Sequence, residues 1–150
     1  HFYCLPRLVT ENREVALVYL LQRLYNDDGA AQKDPRTLWA PELWSWLISG
    51  GYFSPQGLVD GSGPGASVGV ALDVLEALNR IEEGAQELIK CGGKVYRELE
   101  EEPLWDGFKN HGVKAVTAFK DYNKEGIFFD LLYFIETDQA WIYFSWGDTL

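Results

Sequence analysis

Residues 127–136 are apolar on both alternating faces, and that restricts the folds open to this chain more than any other feature. Ile127, Phe129, Leu131, Tyr133 and Ile135 form one alternating set; Phe128, Asp130, Leu132, Phe134 and Glu136 form the other. In an extended strand the two sets point to opposite sides of a sheet. A sheet with one wet side alternates apolar with polar residues, so a strand apolar on both sides must be covered twice. Residues 140–146 repeat the pattern, with Trp141 and Tyr143 on one side and Ile142, Phe144 and Trp146 on the other. Thr137-Asp138-Gln139 supplies the turn between these two strands. A third strand is predicted just upstream, where Val113, Ala115, Thr117 and Phe119 alternate with Lys114 and Lys120, followed by a turn over 121–126. Three strands joined by short turns predict an antiparallel meander.

The chain before residue 113 carries helical signals. Thr10 is placed to cap a helix over 11–26, with Glu11 and Glu14 in the first turn, where the helix dipole favours acids. Asn26-Asp27-Asp28-Gly29 stops it. After a polar loop with Pro35, Ala40-Pro41-Glu42 opens a second helix filled by Leu43, Trp44, Trp46, Leu47 and Ile48, and Gly50-Gly51 end it. Residues 54–66 are rich in Gly, Pro and Ser and predict a flexible loop inside the domain. From Ser67 a long amphipathic helix is expected, with Ala71, Val74, Leu75, Leu78, Ile81, Ala85, Leu88 and Ile89 at three- and four-residue spacing. A shorter helical run follows over 94–101. The expected fold is one α+β domain spanning 1–150, its helical N-terminal two thirds packed on a C-terminal three-stranded antiparallel β-meander. The long helix would cover one sheet face and the N-terminal helices the other; a homodimer or a neighbouring domain is the alternative cover.

Charge narrows the partners. The chain has 23 acidic and 13 basic residues, a net charge of −10. That field repels phosphate backbones and anionic lipid, which disfavours nucleic acid and membrane surfaces, and it suits a basic protein. Glu98, Glu100, Glu101 and Glu102 form an acidic knot with Glu82, Glu83 and Glu87 upstream. It lacks the alternating Asp/Asn and the Gly turn of an EF-hand, so it reads as a solvated face or a docking surface, and no metal site is expected. No run approaches the roughly 20 apolar residues of a membrane span, and no signal peptide is expected within these residues. The expected location is cytoplasmic. The chain opens at His1 and holds no methionine, as an excised or processed piece would.

Catalytic signals are weak. Gly61-Ser62-Gly63-Pro64-Gly65 precedes the long helix, but no lysine completes a phosphate loop and the dinucleotide glycine spacing is absent. Cys4 and Cys91 are the two cysteines, too few for a disulfide framework. Neither histidine, His1 or His111, has a second ligand at metal spacing. No cofactor and no catalytic set is therefore expected. The sequence suggests a non-enzymatic interaction domain, an acidic inhibitor or adaptor for a basic protein, touching its partner through Glu98, Glu100, Glu101, Glu102, Trp44, Trp141 and Trp146. The alternative is a small ligand-binding or hydrolytic domain with a pocket between the aromatic sheet and the long helix. That pocket would hold Asp130, Tyr133 and His111, with Asp130 as the acid raised by burial.

Overall fold

A computed structural model describes residues 1–27, 41–54, 67–90, 112–124 and 128–147. In chain order the elements are β1 (Phe2–Pro6), α1 (Arg13–Asp27), α2 (Pro41–Ser49), β2 (Val70–Leu72), α3 (Val74–Lys90), β3 (Ala115–Lys124), β4 (Phe128–Glu136) and β5 (Ala140–Gly147). The strands make one five-stranded sheet in the order β1-β5-β4-β3-β2, every pair antiparallel.

This overturns the expectation of a helical two thirds on a three-stranded meander: the strands begin at Phe2, and both additional ones come from the supposed helical part. Phe2-Tyr3-Cys4-Leu5 is apolar enough for a strand, but Pro6 argues against one. At the end of an edge strand a proline removes no hydrogen bond the sheet needs, so β1 tolerates it and pairs with β5, Phe2 opposite Phe144 and Pro6 opposite Ala140. β2 is hidden for a different reason. Three residues carry too little alternation to stand apart from the helical spacing that follows. The helix expected from Ser67 starts at Val74, where the Asp73 carboxylate accepts the Glu76 N–H at 3.0 Å and caps the first turn. Residues 70–72 instead extend along β3, Val70 opposite Ala118 and Leu72 opposite Val116.

The first helix also starts later than expected. Asn12, not Thr10, is its cap: Asn12 Oδ1 accepts the Val15 N–H at 3.0 Å, while Thr10 Oγ1 accepts the Asn12 N–H at 3.1 Å. α2 ends as its glycines imply. The Gly50 N–H bonds to the Trp46 carbonyl and the Tyr52 N–H to the Leu47 carbonyl, with Gly51 in the left-handed region at φ 77°. β3 runs past the expected turn to Lys124, opposite Phe128.

Helices cover both faces of the sheet. On one face Ala16, Leu17, Leu20, Leu21 and Leu24 of α1 and Leu47 of α2 pack on Tyr3, Leu132, Phe134, Trp141 and Tyr143. On the other, Ala77 and Ile81 of α3 pack with Val116, Leu131, Tyr133, Ile135, Ile142 and Phe144. The two alternating sets of β4 thus bury in separate cores. One irregularity matters for the chemistry. The register slips between Ala118 and Lys120, so Phe119 is an extra residue in β3. Past that bulge the parity flips: Asp121 stands opposite Leu131 and faces α3, whereas a regular strand would have turned it toward α1 and α2.

Candidate functional site

Two polar clusters interrupt the apolar cores. The first gathers around Arg13, the first residue of α1. Its guanidinium donates to Glu136 at 3.2 Å, to Glu14 at 3.1 Å, to the Ser67 hydroxyl at 2.9 Å and to the Thr117 hydroxyl at 2.7 Å. The cation also lies 5.2 Å from the centre of the Phe134 ring. Ser67 in turn donates to Glu14 at 3.2 Å. One side chain therefore ties α1, β3, the end of β4 and the approach to β2 together. Ser67 is not set up as a nucleophile: the carboxylate beside it is held by Arg13, and the same arginine donates to the serine oxygen, drawing electron density from it. The cluster is a junction, with one buried oxygen, Glu14 Oε2, left without a hydrogen bond.

Beside it stands a column of rings and cations. Phe134 and Trp141 stack with centroids 5.7 Å apart and planes 2° from parallel. Arg7 lies 3.7 Å over the Trp141 ring, and the indole N–H donates to the Thr10 carbonyl at 2.9 Å. Arg7 also bonds to the Thr137 carbonyl at 2.9 Å, so it clamps the β4–β5 turn. Trp141 is 1% exposed. Expected to be a partner contact, it is a core residue covered by the chain's own Arg7. Trp146 is partly buried against the core under α3. Trp44 belongs to α2, its side chain outside the described residues.

The second cluster sits on the opposite face, on the flipped stretch of β3. Arg80 of α3 pairs with Asp121 and with Glu76. Beneath them is the Tyr133 hydroxyl, fully buried. Tyr133 Oη and Asp121 Oδ1 both lack a hydrogen bond of proper geometry. The hydroxyl is nonetheless close enough to Asp121 and Arg80 to feel both charges. Burial first, then the Asp121 carboxylate, hold the Tyr133 phenol far above its ordinary 10.0, with Arg80 pulling the other way. Tyr143, in the core under α1, is also raised, by burial and then by Tyr52, whose hydroxyl is 3.4 Å away.

These two phenols set an alkaline limit on stability. Their folded values lie above the unfolded value of 10.0, so the folded state keeps protons that the unfolded chain releases. Their contribution is intact below about pH 10 and is lost as pH rises further, at about 1.4 kcal/mol per pH unit for each ring. Urea midpoints should fall steeply above that pH, and the tyrosinate absorbance of these two rings should emerge together with loss of helical circular dichroism. Free ionisation of all tyrosines in the folded protein would contradict the burial of both.

Asp130 and Tyr133 were expected to share a pocket. They do not share a face: Tyr133 points into the core under α3, while Asp130 belongs to the α1 side, 44% exposed and 3.7 Å from the Lys120 ammonium. His111, Cys91 and Glu98, Glu100, Glu101 and Glu102 lie outside the described residues. Cys4 is a half-buried cysteine in β1. Among the described residues no group of three metal-ligating side chains comes together, and no helix is long and apolar enough to cross a membrane. Arg13, Glu136, Arg80 and Asp121 carried no warning in the sequence, since nothing local marks an arginine whose partners lie far along the chain.

The cations whose side chains are described are engaged within the molecule. Arg7 pairs with Glu11, Arg13 with Glu14 and Glu136, Arg80 with Glu76 and Asp121, Lys114 with Asp138 and Lys120 with Asp130, while Arg23 lies 4.3 Å over the Tyr3 ring. Comparison with protein-family models, with curated proteins and with solved structures finds no match for this chain.

Proposed function

We propose that this chain is a non-enzymatic protein-binding domain, an acidic inhibitor or adaptor for a basic protein. The observation that carries this reading is the disposition of its charge. The six cations whose side chains are described are each engaged by carboxylates or rings of the same chain, so among the described residues no unpaired basic patch offsets the net charge of −10. A field of one sign steers an oppositely charged protein into encounter and suppresses other partners. The polar clusters support the same view, because each sets one arginine between two carboxylates, stays net negative and holds elements together.

The test is capture of partners by the full chain from its source lysate at low and at high salt. A stoichiometric basic protein, retained at low salt and released at high, is the expected result. Replacing Glu98, Glu100, Glu101 and Glu102 together with glutamine should weaken that partner at least about tenfold, taking the lower part of the range of about 0.2–1 kcal/mol per charge pair. Retention that is indifferent to salt and to the four substitutions would remove the electrostatic basis of the proposal.

A further inference from the structure

The two edges of the sheet differ. β1 carries Pro6 and is followed by Arg7, and both discourage a further strand from adding. β2 is Val70-Ala71-Leu72, with neither proline nor charge. Among the described residues it pairs with β3 on one side and ends the sheet on the other; just upstream, Ser67 bridges Phe53 and the Val68 N–H donates to the Tyr52 carbonyl at 3.3 Å, so the outward backbone groups left over are those of residues 70–72. Leu72 packs inward against the core under α3, whereas Val68, Val70 and Leu75 are 48%, 66% and 69% exposed. Gly69 lets this segment lie flat: a Cβ there would collide with the Thr117 side chain and sit 3.0 Å from the Phe119 ring and 3.2 Å from the Ala118 carbonyl. The result is a held, extended, apolar edge facing water, the arrangement that recruits another strand. Acids flank it. Asp73 is exposed, and Glu76, 60% exposed on its side chain, shares Arg80 with Asp121, so three carboxylates face one cation and the flank stays net negative.

We propose that β2 is a docking edge that takes an extended segment of a basic protein partner as a sixth strand. Apolar side chains of that segment lie against Val68, Val70 and Leu75, and its lysines or arginines meet Asp73 and Glu76. Main-chain hydrogen bonds supply the attachment, and the alternating side chains and flanking charges select the segment. The proposal rests on the basic-partner reading and names where part of that contact falls. A second copy of this chain is the poorer occupant, because it brings another charge of −10 and another Asp73 and Glu76 to the same edge.

The test uses the full chain and two fluorescent peptides of alternating valine and threonine, one flanked by lysines and one by glutamates. Binding is followed by fluorescence anisotropy, and the site by amide hydrogen exchange. The lysine-flanked peptide should bind and slow exchange in β2, and the glutamate-flanked one should bind about tenfold more weakly. Val70→Lys places a charge on the edge at an exposed position and should weaken the peptide about tenfold, while Val70→Thr should retain it. Circular dichroism establishes that both variants fold. Peptide binding that ignores Val70→Lys and leaves β2 exchange unchanged overturns the proposal. So does self-association of the chain that Val70→Lys abolishes, which makes the occupant a second copy. If neither peptide binds while the salt-sensitive partner is still retained, the edge assignment falls and the basic-partner reading stands. If both peptides bind β2 equally, the charge selection falls, and with it the basic partner.

Discussion

Trp141→Ala is expected to lower the unfolding free energy by about 3–5 kcal/mol, the range for deleting a large buried ring. Three losses combine. The ring is buried between the sheet and Arg7, so its removal leaves a cavity lined by Phe134 and the arginine stem. The indole N–H that meets the Thr10 carbonyl disappears, leaving that carbonyl without its donor. Arg7 loses the ring beneath it and holds the β4–β5 turn less firmly. Domains of this kind have total stabilities of only about 5–15 kcal/mol, so the variant should sit near the margin of folding. Trp141→Phe keeps the stack, loses only the N–H and some area, and should cost about 1–2 kcal/mol. Urea unfolding with an unchanged slope is the measurement. A loss below about 1 kcal/mol for the alanine variant would mean that the ring is not in the core and could face a partner after all.

Arg13→Ala should destabilise the domain by about 2–4 kcal/mol, an unusual amount for an arginine. Its partners decide the magnitude. Glu136 is 17% exposed on its side chain, and without the guanidinium it keeps a charge in a setting with little water. Glu14, Ser67 and Thr117 lose a donor at the same time. Partial exposure of the cluster keeps the figure below that of a fully buried pair. Arg13→Lys preserves the charge but replaces a planar fork with a single point, which cannot reach Glu136, Ser67 and Thr117 together, so it should rescue only part. Adding Glu136→Gln to the alanine variant removes the stranded charge and should recover about 1–2 kcal/mol in a double-mutant cycle. Arg7–Glu11 is the contrast. Glu11 is largely exposed, and Glu11→Ala should fall within about 0.5 kcal/mol of the wild type.

Much of the sheet was legible. The two alternating apolar sets of β4 and β5 are local patterns, and they sort into the two cores as the alternation requires. The glycine pair that ends α2 and the turn after Glu136 were legible for the same reason, because turns and caps depend on adjacent residues. β1 and β2 were not. Each is too short, or too close to a proline, to announce itself, and each becomes a strand only because β5 and β3 offer an unpaired edge. Trp141 illustrates the limit for sites. A tryptophan in a strand can anchor a partner or a core, and only the arrival of Arg7 and α1 decides between them.

The sequence by itself determined that this chain needs a sheet covered on both sides, where its C-terminal turn and its second helix end, and that its field is strongly negative. These follow from periodicity, from glycine and turn chemistry, and from a sum of charges, none of which requires knowing what lies nearby in space. Tertiary structure alone decided that Arg13 would meet Glu136, 123 residues away, and that a one-residue bulge at Phe119 would turn Asp121 toward Arg80. It also decided that an uncharged three-residue strand would be left at the sheet's edge. Ion pairs, strand parity and open edges are properties of juxtaposition, and juxtaposition exists only once the chain has folded.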